Sequence, residues 1–242
     1  MNCLYFLSFI GLLFTFNKTA GQTSSLSNSA SYNNVRSYYQ NEIAENAYLF
    51  TGKEYTKYTS GIQGTPFFNS AEMQNCELFY DGTLYQDVPL LFDLVRQEIV
   101  INRYDDNTRI KLLNEKIKYF KIAGHRFDNI ILSEGSNEDV SNGFYDIVFE
   151  GKASVLVSRV KKVEMTLNPE DPPKFAERDK IFIRNENQFY LVNNINSILN
   201  ALKDKKDLIR TFIRKNKFRF KKNIEEELGM TAAYYETLIR QI

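Results

Sequence analysis

The feature that most constrains the fold is a succession of short alternating stretches joined by turn residues, which occupies the middle of the chain. In the clearest example, residues 76–85 alternate apolar and polar side chains on either side of Asp81-Gly82. Asp-Gly is favoured at type I′ hairpin turns, because both turn residues must adopt a positive φ. A two-residue turn here pairs Leu78 with Tyr85 and places both side chains on one face of the hairpin.

Further hairpins are predicted in the same region. One places Ile101 opposite Leu112, and another places Ile147 opposite Leu156, so that apolar side chains again share a face. The predicted turns of these and a third hairpin are residues 105–108, 151–152 and 185–187. Strand and helix patterns do not alternate, so a parallel sheet is not expected. The pattern predicts an antiparallel β-rich body that is a meander, a sandwich or an open barrel.

The periodicity changes to that of a helix near Asn194. Ile195, Ile198, Leu199 and Leu202 follow the i, i+3, i+4, i+7 spacing of an amphipathic helix. Two further helices are predicted, and the last begins at Asn223 as N-cap with Glu226 as its capping-box partner. The fold class is therefore α+β, with an antiparallel β domain at residues 51–192 and a basic helical segment at residues 193–242.

The N-terminus predicts export. Residues 4–16 form an apolar run of 13 residues, which is too short to span a bilayer but suits the central region of a secretory signal peptide. Small residues follow, so residues 1–21 are predicted to be the signal peptide. Residues 22–50 begin with a Ser/Asn-rich stretch and are predicted to be a flexible leader. Beyond residue 21 the sequence contains no apolar stretch long enough to span a membrane.

Few residues of this chain suit nucleophilic, redox or metal chemistry. The 242 residues contain one histidine, His125, and two cysteines, of which only Cys76 remains after signal cleavage. The mature chain therefore cannot form an intramolecular disulfide, and Cys76 is expected to be a small buried side chain. His125 has no partner at a recognised spacing, and the HExxH, CxxC and Gly-rich phosphate motifs are absent. We predict no catalytic residue, no metal site and no cofactor.

Charge is unevenly distributed, although the chain is nearly neutral overall with 31 Lys+Arg and 30 Asp+Glu. Residues 201–222 contain ten basic and two acidic side chains, a net charge of +8, which leaves about −8 on the rest of the mature chain. Phe212, Phe218 and Phe220 lie among these cations. One interpretation is an exposed helix face with its phenylalanines in the core.

The other interpretation is a binding surface. Basic residues interleaved with aromatic ones are typical of nucleic-acid binding, but export argues against a nucleic-acid partner. An anionic surface, an envelope component or an acidic protein partner fits the compartment better. The predicted binding residues are Arg210, Arg214, Lys217 and Lys221.

Several stretches of the chain carry a family resemblance. They are residues 80–85, residues 88–94, residues 205–220 and residues 234–235. In these stretches the chain resembles uncharacterised exported proteins of Bacteroidetes-type Gram-negative bacteria, and the resemblance covers most of the mature chain. It implies export and a β-rich domain with a helical tail, and it implies no activity, cofactor or catalytic residue.

The function expected from these observations is that of an exported, non-enzymatic, envelope-associated binding or interaction module with an unknown ligand. Its location is periplasmic, outer-surface-associated or secreted. One alternative is a hydrolase that acts on glycans with two carboxylates, which needs no histidine or metal. Another is a carrier of a small apolar ligand, which requires the sheet to close into a barrel with an empty interior.

Overall fold

The computed structural model describes residues 52–103, 108–132, 140–168 and 170–240. The predicted signal peptide (residues 1–21) and leader (residues 22–50) lie outside the described residues. The strands are β1 (Lys53–Glu54), β2 (Gln74–Tyr80), β3 (Thr83–Asp93), β4 (Glu98–Asn102), β5 (Arg109–Lys111), β6 (Ile117–Ile122), β7 (His125–Ile130), β8 (Gly143–Phe149), β9 (Ala153–Ser158), β10 (Lys161–Glu164), β11 (Lys174–Glu177), β12 (Lys180–Asn185) and β13 (Gln188–Leu191).

These strands form one large sheet and one small one. The large sheet has the order β1-β5-β4-β3-β2-β6-β7-β8-β9-β12-β13, and β10 pairs with β11 separately. Every ladder between the strands is antiparallel. The large sheet is open, with β1 and β13 at its two edges. The predicted fold class, an antiparallel β-rich body followed by helices, is confirmed.

The tightest predicted hairpins have the predicted register. Asp81 and Gly82 adopt φ values of 49° and 82°, as a type I′ turn requires, and Leu78 lies opposite Tyr85. In the hairpin of β8 and β9, Ile147 lies opposite Leu156 as predicted, but a register shift nearer the turn places Phe149 opposite Val155 and not Ser154. Short turns restrict the pairing of the strands that they join, so the register follows from the local sequence.

The prediction for the hairpin of β4 and β5 is wrong by two residues. Ile101 lies opposite Ile110 and not Leu112. The backbone N–H of Arg103 donates to the carbonyl of Thr108 at 2.7 Å, so Thr108, which was predicted to lie in the turn, takes part in the pairing. Because side chains alternate with a period of two, a shift of two residues keeps Ile110 on the core face.

The sheet curves strongly around four buried phenylalanines. Phe92 on β3 and Phe144 on β8 lie four strand positions apart, about 19 Å across a flat sheet, but their ring centroids are 5.6 Å apart. Phe120 and Phe127, on the intervening strands β6 and β7, stack at 5.0 Å, and both rings contact Phe92. These rings fill the concave face of the sheet. A carrier of a small apolar ligand would need an empty interior there, so the arrangement does not favour that alternative.

Three helices follow the sheet: α1 (Ile195–Ala201), α2 (Lys206–Asn216) and α3 (Ile224–Ile239), with a 3₁₀ turn at Lys203–Lys205 between the first two. They cover one face of the last strands, where Ala153 and Val155 of β9 and Ile183 of β12 are buried against them. The buried helix residues of this cluster are Ile198, Leu199, Ala201, Ile209, Ile213, Leu228, Ala232 and Tyr235. The helices therefore add a second core, separate from the phenylalanine cluster.

The capping box predicted at the start of α3 is wrong. Asn223 occupies the N-cap position, but its side chain makes no capping hydrogen bond. Its backbone (φ −113°, ψ 41°) is outside the extended region that capping residues normally adopt. In place of Glu226, the carboxylate of Glu227 turns back and accepts the backbone N–H groups of Arg219 and Phe220. The acidic first turn of α3 thus pairs with backbone N–H groups of the preceding loop.

Replacing Phe92 with alanine should lower the free energy of unfolding by about 3–5 kcal/mol, because the cavity would lie at the centre of the four-ring cluster. The measurement is equilibrium unfolding in urea. Leu167→Ala is the control, because the Leu167 side chain is fully exposed and its loss should change stability by less than about 0.5 kcal/mol. Equal effects of the two substitutions would contradict the proposed role of the cluster.

Candidate functional site: a basic surface on the helical segment

The basic segment folds around an amphipathic helix. Ile209 and Ile213 of α2 lie one turn apart and are buried, and Phe212 beside them is half-buried. Because these residues share one side of the helix, the charged residues fall on the remaining sides. Nine of the ten basic residues between positions 201 and 222 are exposed, and Lys205 is half-buried.

The four predicted binding residues, here called the basic surface, are Arg210, Arg214, Lys217 and Lys221, and all four are exposed. Arg210 and Arg214 are four residues apart on α2 and therefore neighbours on one side of the helix. Lys217 ends the helix in the left-handed conformation (φ 57°), and its N–H donates to the carbonyl of Arg214. Lys221 lies in the loop before α3.

Acidic side chains neutralise little of the positive charge of the basic surface. Among the described residues, Arg210 alone of the four has an acidic side chain within 4 Å, namely Asp207 at 3.4 Å. Both side chains of this pair are well exposed, so the pair contributes little free energy. The charges of Arg214, Lys217 and Lys221 therefore remain available to an external anion.

The phenylalanines of the basic segment serve as packing residues. Phe212 stacks on Tyr234 of α3 with a centroid distance of 4.2 Å and an interplanar angle of 8°. Phe218 meets Phe212 and Phe220 edge to face. All three rings are half-buried, and those of Phe218 and Phe220 pack against the second core. This arrangement supports the interpretation that the aromatic residues hold the segment on α3, with the cations on its outer side.

Arg159, which follows β9, connects the sheet to the start of α3. Its Nη2 and Nε lie 2.6 and 3.0 Å from Oδ2 of Asp146, a buried residue of β8. Its Nη1 and Nη2 also reach Oε1 and Oε2 of Glu225, at 2.7 and 2.8 Å, in the first turn of α3. Asp179 accepts a further hydrogen bond from Nη1 at 3.2 Å. One guanidinium therefore binds carboxylates from three separate parts of the chain.

His125 belongs to the same cluster. Its Nδ1 lies 2.8 Å from Oδ2 of Asp146, the oxygen that Arg159 also contacts. The histidine follows a tight turn at the start of β7 and lies opposite Ile122. Sequence reasoning missed Asp146 as its partner, because no motif indicates it and only the pairing of β7 with β8 brings the two together.

Cys76 is poorly suited to nucleophilic chemistry. It is buried in the phenylalanine-containing core, and its Sγ–H donates to the carbonyl of Gln74 at 3.0 Å. Burial raises the pKa of the Cys76 thiol to about 12, so the thiolate is scarce at neutral pH. The prediction that Cys76 acts as a small buried side chain is confirmed.

Two further properties bear on function. In residues 52–103, 108–132, 140–168 and 170–240, no group of three or more His, Cys, Asp or Glu side chains is arranged to hold a metal ion. Within the same ranges, no helix has the length and apolar character needed to cross a membrane.

Comparison with family models, with curated protein sequences and with solved structures yields no match to this chain. The family resemblance drawn from the sequence therefore stays a prediction.

Replacing Arg159 with methionine should lower the free energy of unfolding by about 3–5 kcal/mol, because it leaves Asp146 buried with a reduced set of partners. It should also accelerate amide hydrogen exchange in α3, since Glu225 loses its link to the sheet. The matched control is Arg178→Met, which breaks an exposed pair with Glu164 and should cost at most about 1 kcal/mol. If α3 exchanged at the same rate in both variants, the linking role of Arg159 would be refuted.

Proposed function

We propose that the protein is exported and acts as a non-enzymatic binding module, which attaches to an anionic envelope surface through the basic surface. The observation that carries this proposal is the exposure of Arg210, Arg214, Lys217 and Lys221 with a single weak acidic partner among them. Negatively charged lipid headgroups are the anions that fit an exported, envelope-associated protein.

The physical basis is electrostatic attraction between segregated charges. Near an anionic bilayer each Lys or Arg contributes about 1 kcal/mol to binding. This attraction is screened over a Debye length of about 8 Å at physiological ionic strength. The rest of the mature chain carries about −8, so the charge separation would orient the protein with residues 201–222 toward the membrane.

The groups most capable of catalysis are engaged in structural contacts, which supports a non-enzymatic role. His125 and Arg159 share one oxygen of Asp146, and the same guanidinium holds Glu225. The carboxylates of Asp146 and Glu225 are thus held by hydrogen bonds within the protein.

Changing Arg210, Arg214, Lys217 and Lys221 together to glutamine should weaken binding to anionic vesicles by at least about tenfold, since up to four favourable charge interactions are lost. The measurement is co-sedimentation of the mature protein with vesicles of phosphatidylglycerol and phosphatidylethanolamine at low salt. Binding of the unaltered protein should also fall steeply as salt is raised.

The matched control removes four exposed lysines of the strand region, Lys53, Lys57, Lys162 and Lys174, in the same way. It has the same net charge as the first variant, so a non-specific charge effect would weaken both equally. Equal retention of the first variant and the unaltered protein at low salt would refute the proposal.

Export is tested separately from surface binding. We expect the protein recovered from its own cells to begin at Gln22 and to fractionate outside the cytoplasm, as cleavage after residue 21 predicts. Mass spectrometry of the N-terminal peptide measures this directly. An intact N-terminus on cytoplasmic protein would contradict export and leave the vesicle result to be explained by another anionic partner.

A further inference from the structure

A polar cleft lies where the hairpin of β12 and β13 meets the helical segment. It has a volume of about 560 Å³, within the range of small-molecule sites. Its principal polar groups come from the hairpin (Asn185, Glu186, Gln188 and Tyr190), from the 3₁₀ turn (Asp204) and from α3 (Tyr235). The cleft is distinct from the basic surface, and none of the roles assigned so far involves it.

The charges around the cleft are balanced. Two carboxylates, Glu186 and Asp204, face two ammonium groups, Lys152 and Lys203. Glu186, Asp204, Lys152 and Lys203 are all exposed, so water screens the fields of these four charges. A strongly charged ligand gains little in such a setting, and the polar lining disfavours an apolar one. The cleft chemistry fits a neutral ligand with many hydroxyl groups.

The acidic group of the cleft is held in place. The hydroxyl of Tyr235 donates to the carboxylate of Asp204, whose Oδ1 and Oδ2 lie 3.0 and 3.1 Å away. Burial together with this hydrogen bond raises the pKa of Tyr235 to about 12, so the phenol stays protonated and continues to donate. Each oxygen of Asp204 retains a free lone pair that can accept a ligand hydroxyl.

The hairpin side of the cleft is also fixed. Nδ2 of Asn185 donates to the carbonyl of Ala201 at 2.8 Å and ties the end of β12 to the end of α1. The hydroxyl of Tyr190 donates to Oε1 of Gln188 at 2.5 Å, which leaves the amide nitrogen of Gln188 as a donor. The ring of Tyr190 is half-buried and lines the cleft, so part of its aromatic surface can pack against the C–H groups of a ligand.

We propose that this cleft is a binding site for a neutral carbohydrate, with Asp204 and Gln188 hydrogen-bonded to its hydroxyls and Tyr190 packed against its ring. Carbohydrates present adjacent hydroxyl groups, which both donate and accept, above an apolar C–H face. An oriented carboxylate, a free amide and an aromatic ring complement these features. The inference is independent of the basic surface, because the two sites share none of the residues named for them.

The test is saturation-transfer NMR of the mature protein with cellobiose, maltose and N,N′-diacetylchitobiose as probes. We expect transfer to at least one of these disaccharides. Asp204→Asn should weaken its binding by about tenfold or more, since a charged acceptor is lost. An asparagine oxygen still accepts from Tyr235, so this variant should keep its fold. Tyr190→Ala should weaken binding as well.

The matched control is Asp207→Asn, which makes the same change three residues away at a position that is 95% exposed and outside the cleft. This control should bind the disaccharide as the unaltered protein does. Absence of transfer to all three probes, equal effects of the two substitutions, or displacement of the sugar by glycine would overturn the inference. Asp204→Asn should leave vesicle binding intact, so failure at this site is distinguishable from failure of the basic surface.

Discussion

One buried carboxylate, Asp146 on β8, determines how the sheet and the helices are joined. A charge at a position that is 1% exposed is tolerated only when it is paired and hydrogen-bonded. Arg159 meets this requirement, and its planar guanidinium has donors left over, which bind Glu225 and Asp179. Glu225 lies in the first turn of α3, where the helix dipole also favours a negative charge. The guanidinium that pairs with Asp146 thus also holds the start of α3 against the sheet.

The position of α3 in turn determines which parts of the helical segment face outward. Tyr234 of α3 receives the ring of Phe212, and the buried residues of α2 pack on the same cluster. The cations of α2 are therefore directed to solvent, as the proposed surface requires. Tyr235, the next residue along α3, reaches Asp204 and forms one wall of the cleft. The two proposed sites are chemically separate, but both depend on the same placement of one helix.

Whether a strand register could be predicted from the sequence depends on the length of the connecting turn. The pair Leu78–Tyr85 could be predicted because a tight turn leaves few registers, whereas the register near the turn of β8 and β9 is shifted between Ile147 and Phe149. The longer loop before β5 allows several registers, and the prediction for Ile101 was wrong by two residues. At Asn223 the sequence pattern fits a capping box, but the backbone of Asn223 is outside the extended region and its side chain makes no capping hydrogen bond.

The sequence by itself determined the antiparallel hairpins, the helical end and the density of cations in residues 201–222, because each depends on neighbours along the chain. It also indicated that Arg210 and Arg214 are exposed, since polar positions of an amphipathic helix face solvent. Only the tertiary structure decided the curvature around Phe92 and Phe144, the pairing of His125 with Asp146, and the cleft. These features join residues that lie far apart in sequence, and their contacts depend on sheet curvature and helix placement, which local patterns do not specify.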